Sequence, residues 1–239
     1  MPEASAIGVK VGLEVFKKVA PTGISWLKTR LFGKTMLVVG ERRAGKSCFV
    51  LYLEHGVLIP AGEETPKTLQ ERNTRAFNLA IGRDKSLTVN VKRATDTRGH
   101  DSPKEQAKLV FDKAPNILMI FLDVSRNWAS NDDDYGTQYL SAMLEELNSL
   151  CSNSNRLKNK LQHVCVILNK ADVVKETQLK SQTTKIKRVI NSFKSPSWGG
   201  SSSDIATYNC VCVENEEGSS RIDAVIKSIM ISLLMKSQT

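Results

Sequence analysis

The sequence has no hydrophobic run long enough to cross a bilayer, and it has few cysteines. No apolar stretch approaches the ~18 residues of a transmembrane helix, so a membrane-spanning protein is not predicted. The five cysteines are an odd number and none has the spacing of metal ligands, which argues against a disulfide framework and a zinc site. We therefore expect reduced, buried thiols and a cytoplasmic protein.

The N-terminal residues lack the features of a secretory signal. Lys10 and Glu14 interrupt the apolar stretch there, and no small-residue cleavage site follows it. Pro2 is incompatible with N-myristoylation. We expect neither a leader peptide nor a myristoyl anchor.

The residues that are present make a basic chain of globular composition. Hydrophobic residues are 41% and charged residues 25% of the 239, which is typical of one folded domain of ordinary size. The net charge of +9 favours contact with something anionic. A nucleotide, a membrane surface, an acidic protein and nucleic acid all satisfy that condition.

Apolar runs alternate with helical patterns along the chain. Residues 35–40, 116–125, 163–168 and 206–215 are predicted as buried strands, and 75–96 are predicted as a hairpin around the turn 82–86. Helices are predicted to follow the buried strands, which indicates an α/β fold with a parallel sheet covered on both faces. Ligands bind at the carboxyl ends of such strands, so the residues that follow the strands are the candidate site.

The first strand is followed by the stretch GERRAGKS, which matches the pattern G-x-x-x-x-G-K-S of a P-loop. Backbone N–H groups and the helix N-terminus of such a loop face nucleotide phosphates. Lys46 is predicted to neutralise the β/γ-phosphate oxygens, and Ser47 to offer its hydroxyl to Mg²⁺. The predicted nucleotide-binding positions here are Gly40, Arg42, Arg43, Ala44, Gly45, Lys46, Ser47 and Cys48.

Two further motifs follow later strands. In DTRGH, Asp96 is predicted to hold Mg²⁺ through water and Gly99 to give its N–H to the γ-phosphate. In NKAD, the Asp172 carboxylate can accept two hydrogen bonds from guanine, a pair that adenine does not offer. Asn169 is predicted to reach the N7 side of the base, and the stem of Lys170 to cover its ring face.

With these three motifs in this order, residues 34–238 resemble the small P-loop GTPases, the group of Ras-like, Arf-like, Era-like and septin-like proteins. The resemblance implies a three-layer G domain with a six-stranded, mostly parallel sheet. It also implies GTP or GDP and Mg²⁺ as ligands, and slow GTP hydrolysis that switches two loops. The second motif of the group is a Mg²⁺-binding threonine, either Thr65 or Thr68; the fifth has no clean match, so Val213 and Glu214 are assigned to the base by position.

The two arginines of the loop allow three interpretations. Arg42 stands where a side chain can crowd the attacking water and block hydrolysis. Arg43 resembles a loop arginine of guanylate-binding proteins and atlastins, which acts as an internal finger when two GTPase domains meet. The third interpretation is a solvated arginine without a catalytic role.

His100 stands where Ras-like proteins place a water-orienting glutamine, and translational GTPases have histidine there. The predicted catalytic residues are therefore His100, Arg43 and Lys46, with a surface histidine on a mobile loop as the alternative for His100. Residues 34–239 are the predicted GTPase domain. Residues 1–33 form a predicted amphipathic, helical extension that packs on the core, docks a partner or attaches to a membrane surface.

These features predict a GTP-hydrolysing switch whose loops at 60–75 and 97–112 recognise a protein effector or regulator. The switch is also predicted to be able to act by self-association, as a homodimer through the nucleotide face. The alternative is a GTP-binding scaffold with little hydrolysis that assembles or attaches to a membrane surface. An ATP-using P-loop enzyme is disfavoured by Asp172. No RNA-binding module pattern is present, so nucleic acid is an unlikely partner.

Overall fold

The computed structural model describes residues 34–60, 72–74, 77–81, 87–91, 93–97, 102–126, 135–152, 154–193, 205–214 and 218–235. The N-terminal extension 1–33 and four predicted site residues (Thr65, Thr68, Gly99 and His100) lie outside these ranges. None of the helices within the described ranges is long and apolar enough to cross a membrane.

Eight strands and five helices follow one another along the described chain. The strands are β1 Thr35–Gly40, β2 Arg72–Asn73, β3 Phe77–Ile81, β4 Leu87–Val91, β5 Arg93–Asp96, β6 Ile117–Asp123, β7 His163–Asn169 and β8 Ile205–Asn209. The helices are α1 Lys46–His55, α2 Pro103–Lys113, α3 Tyr135–Ser152, α4 Glu176–Ser192 and α5 Gly218–Met235.

The main sheet has the order β2-β5-β1-β6-β7-β8. Strands β5, β1, β6, β7 and β8 are parallel to one another. Strand β2 lies at the edge and is antiparallel to β5. The α/β class with a parallel sheet is thus confirmed. The six-stranded sheet of the prediction is realised as five parallel strands plus an edge segment of only two residues.

Helices cover both faces of this sheet because its central strands are apolar on both sides. In β1, Met36 and Val38 belong to one buried cluster, and Leu37 and Val39 to the other. The first cluster includes side chains from α1 and α5, and the second includes side chains from α2, α3 and α4. The carboxyl ends of the strands emerge between these two layers.

The structure corrects two predictions about the segment between β2 and β6. Residues 86–96 do not form one strand: β4 pairs with β3 in a separate two-stranded sheet, while β5 pairs with β1 in the main sheet. The hairpin of β3 and β4 is confirmed. The loop predicted at 97–112 is wrong beyond residue 102, because Ser102 caps α2 and Pro103 occupies its first turn.

Candidate functional site

Gly40 lets the phosphate loop leave β1 against the neighbouring strand. Its φ is +139°, and a Cβ atom there would collide with the backbone of Phe121 on β6. The next N–H, that of Glu41, donates to Phe121 O at 3.0 Å. The loop therefore begins pressed against β6, and Gly40 is needed both for its conformation and for its lack of a side chain.

The loop then turns on two residues in the left-handed region and ends in α1. Arg43 has φ 63° and Gly45 has φ 86°. A Cβ atom at Gly45 would collide with the side chain of Asn169, so the predicted base motif lies directly against the phosphate loop. Helix α1 begins at Lys46, and its first turn presents backbone N–H groups to the space that the loop encloses.

Lys46 is held by the loop itself. Its side chain is buried, and Nζ donates to Gly40 O at 2.9 Å and to Glu41 O at 2.7 Å. An ammonium group at this place can transfer from backbone carbonyl oxygens to phosphate oxygens, which are stronger acceptors.

The two predicted magnesium ligands in the described residues are in contact. Ser47 Oγ donates to Asp96 Oδ2 at 2.7 Å, across 49 residues of sequence. A hydroxyl and a buried carboxylate are oxygen ligands of the kind Mg²⁺ prefers, and both lie next to the phosphate loop. These residues fit a magnesium ion. Cys48, the next residue, is half-buried, and burial raises the pKa of its thiol.

The base motif meets the phosphate loop at the end of β7. Asn169 Nδ2 donates to Ala44 O at 2.9 Å, while its Oδ1 is buried and has no hydrogen-bond partner among the described residues. Lys170 has φ 64°, and its Nζ lies 2.6 Å from Asp123 Oδ2. Asp172 lies exposed in the single 3-10 turn Ala171–Val173. A planar base with hydrogen-bonding edges fits this arrangement of an orphaned acceptor and an accessible carboxylate.

The fifth-motif positions follow β8 beside the base motif. The Ala171 N–H donates to Cys210 O at 3.2 Å, which ties the two loops together. Val213 is half-buried and Glu214 is exposed, and Glu214 N–H donates to Ile59 O at 2.8 Å. The segment after α1 therefore runs alongside the fifth-motif loop, where Pro60 and Glu214 form a parallel β-bridge.

Cys212 is a site residue that the motifs did not indicate. It is buried, and its Cβ lies 3.6 Å from the place where a side chain on Gly45 would begin. Burial, reinforced by the nearby Cys210 thiol, raises its pKa well above the ordinary value. The thiol thus fills space between the phosphate loop and the fifth-motif loop as a neutral group. The expectation of buried thiols is confirmed for Cys151, Cys165, Cys210 and Cys212, whereas Cys48 is half-buried.

Three charged residues around the loop were also not predicted as site residues. Glu41 is 1% exposed, and its Oε2 accepts from the Asp123 N–H at 2.8 Å. Burial raises the pKa of Glu41 to about 7. Arg126 Nη2 donates to Arg42 O at 2.6 Å, and its Nε lies 3.7 Å from Asp123 Oδ2. The one sequence feature that could have indicated these residues is the position of Asp123, directly at the carboxyl end of a buried strand.

The two loop arginines point outward. Both Arg42 and Arg43 are exposed.

The comparisons with known proteins bear on the fold. No protein-family model and no curated protein matches the sequence. Among solved structures, the chain is similar to the signal recognition particle receptor SRb-GTP/SRX complex from Chaetomium thermophilum, with 15% identity and a TM-score of 0.54. The match covers 81% of this chain and 99% of the other. At this identity the likeness shows a shared α/β fold.

Proposed function

We propose that this protein binds GTP with Mg²⁺ and hydrolyses it slowly, as a molecular switch. The observation that carries the proposal is the hydrogen bond between Asn169 and Ala44, which joins two motifs 125 residues apart. It brings the NKAD motif directly beside the GERRAGKS loop, which supports a guanine-nucleotide site there. The similar chain from Chaetomium thermophilum is described as SRb-GTP, which supports the same ligand.

The residues around the loop divide the work of holding the nucleotide. The N–H groups of the loop and of the first turn of α1 bind the phosphates, and Lys46 moves onto their β/γ oxygens. Ser47 and Asp96 hold the magnesium ion, which neutralises phosphate charge when bound. Asn169 and Asp172 bind the guanine edge, with Lys170, Val213 and Glu214 beside the base.

Hydrolysis requires water to be oriented and developing charge to be stabilised. We assign orientation of the water to His100 and charge stabilisation to Lys46. Arg43 is exposed on a left-handed turn of the loop, and we assign it a further charge-stabilising role when two nucleotide faces meet. We assign Thr65 or Thr68 as a further magnesium ligand, and Gly99 as a γ-phosphate contact, on the motif alone.

The switch is proposed to act on a protein partner through the loops at 60–75 and 97–102. The fungal structure pairs SRb-GTP with SRX, so a protein of this fold assembles with a partner.

The decisive test measures the affinities of GTP, GDP and ATP by calorimetry at saturating Mg²⁺. We expect the wild type to bind guanine nucleotides, and Asp172→Ala to lose at least about a hundredfold of its preference over ATP, because the guanine N–H groups lose their acceptor. Asp112→Ala, which removes an exposed carboxylate from α2, is the matched control and keeps the preference. Equal affinities for ATP and GTP in the wild type would overturn the proposal.

A further inference from the structure

Gln106 on α2 makes an unusual pair of hydrogen bonds with the first residue of the phosphate loop. Its Oε1 accepts from the Gly40 N–H at 2.8 Å, and its Nε2 donates to Gly40 O at 3.2 Å. The side chain is completely buried, and the two residues are 66 apart in sequence. One amide side chain thus satisfies both backbone groups of one strand residue.

The strand geometry explains why Gly40 needs this partner. The Glu41 N–H donates to β6, so the N–H and C=O of the preceding residue point to the opposite side of β1. On that side β5 ends at Asp96, which pairs with Val38, two residues before Gly40. The amide of Gln106 therefore occupies the place that another residue of β5 would take, and it supplies the acceptor that the buried Gly40 N–H needs.

Gly40 O has a second donor, the ammonium of Lys46, at 2.9 Å. In the function proposed above, Lys46 leaves the loop carbonyls for the phosphates when a nucleotide binds. A buried carbonyl that loses its hydrogen bond costs about 1–3 kcal/mol. Because Nε2 of Gln106 continues to donate to Gly40 O, Lys46 can leave this carbonyl without that penalty. The other carbonyl that Lys46 would leave, Glu41 O, keeps the N–H of Ala44 at 3.3 Å.

A third contact fixes the orientation of the amide. Tyr139 Oη on α3 donates to Gln106 Oε1 at 2.6 Å, so Oε1 receives two hydrogen bonds and Nε2 must face Gly40 O. The contact also connects the phosphate loop with two helices, α2 and α3. Helix α2 begins only a few residues after the DTRGH motif.

We propose that Gln106 is a positioning residue for nucleotide binding: it holds Gly40 and its carbonyl while Lys46 changes partner. The proposal rests on the proposed function, because the movement of Lys46 presupposes a bound nucleotide. It extends that function to a side chain that belongs to none of the five motifs.

The test compares two buried glutamines. Gln106→Met removes the pair of bonds to Gly40 in a side chain of similar length. The matched control is Gln182→Met on α4, where a buried glutamine also donates to a backbone carbonyl, Val124 O, at 3.2 Å. GTP and GDP affinities and the urea midpoint are measured for both variants and the wild type. We expect both variants to lose stability, and only Gln106→Met to lose about tenfold in affinity for both nucleotides.

The outcomes separate this proposal from the proposed function. A wild type that binds neither nucleotide overturns both. A wild type that binds GTP, with Gln106→Met equal to Gln182→Met in affinity, restricts Gln106 to a structural role and overturns this inference alone. If Gln106→Met does not fold, Tyr139→Phe replaces it: a loss of about threefold in affinity supports the proposal, and unchanged affinity contradicts it.

Discussion

At the scale of single residues, the buried carboxyl of Glu41 is the group with the clearest consequence for solution behaviour. Burial raises its pKa from an ordinary 4.5 to about 7, and the Asp123 charge acts in the same direction. The Asp123 N–H, Arg126 and Lys46 oppose the shift without cancelling it. In the folded protein this carboxyl therefore keeps its proton at a pH where the unfolded chain has lost it.

This shift predicts that the free energy of unfolding decreases as the pH rises. The folded state binds the proton more tightly, so the stabilisation is complete below pH 4.5 and is lost as the pH rises to about 7. The change is on the order of 3 kcal/mol. Urea titrations at several pH values measure it. Glu41→Gln is expected to flatten the decrease, whereas Glu145→Gln, on the exposed side of α3, is expected to keep it. An identical slope in wild type and Glu41→Gln would contradict the assignment.

At the scale of elements, α2 depends on the cap at its N-terminus. Ser102 accepts from the Glu105 N–H at 3.3 Å, and the Glu105 carboxylate accepts from the Ser102 N–H at 2.7 Å. Three residues of this helix are buried, Gln106, Ala107 and Val110, whereas seven are buried in α3, so packing contributes less than in α3. The cap is therefore important for where the helix begins.

Ser102→Ala is expected to lower the free energy of unfolding by about 1 kcal/mol, because it removes one half of the reciprocal cap. Chemical denaturation followed by far-UV circular dichroism measures this loss. Ser192→Ala, at the opposite end of a different helix, is the control; its hydroxyl donates to the carbonyl of Val189, three residues earlier. Its effect is expected to stay within about 0.5 kcal/mol. Equal effects of the two substitutions would argue against the cap.

The same elements show what the sequence could and could not predict. Strands β1, β6 and β7 are continuous apolar runs, and their type and position followed from that pattern alone. The sequence did not indicate the break between β4 and β5, because the alternation of apolar and polar residues continues through residue 92. In the structure, β4 and β5 belong to different sheets. Helix α2 was hidden because its apolar stripe is short and its cap follows a predicted switch loop.

The candidate site also contains contacts that the sequence motifs predicted and contacts that they did not. The contact between Ser47 and Asp96 and the contact of Asn169 with the loop agree with motifs that are legible in sequence. The roles of Glu41 and Gln106 depend on partners 82 and 66 residues away, so no local pattern marks them. Polar residues of this kind look like ordinary surface positions until the fold places them in the interior.

At the scale of the whole molecule, the exposed loop arginines bear on the proposal that two molecules meet through their nucleotide faces. If two nucleotide faces meet, Arg43 of one molecule is expected to complete the site, and GTP turnover per molecule rises with protein concentration. Arg43→Ala is then expected to flatten that rise, and Arg42→Ala, at the neighbouring exposed position, to preserve it. Phosphate release, followed over a hundredfold range of protein concentration, measures the GTP turnover per molecule. A constant slow rate with tight GTP binding would identify a scaffold or a switch that needs an outside activator.

The pairing of β1 with β6 also limits how early the sheet can form during synthesis of the chain. Thr35, at the start of β1, bonds to Asn116, 81 residues later, so the first strand cannot find its central partner until that much more chain has been made. At translation rates of 5–20 residues per second, the wait is roughly 4–16 s. During this time a strand that is apolar on both faces has no finished sheet to join, and a nascent-chain chaperone has an opportunity to bind it. The proposed nucleotide site is completed later still, after Asp172 has left the ribosome.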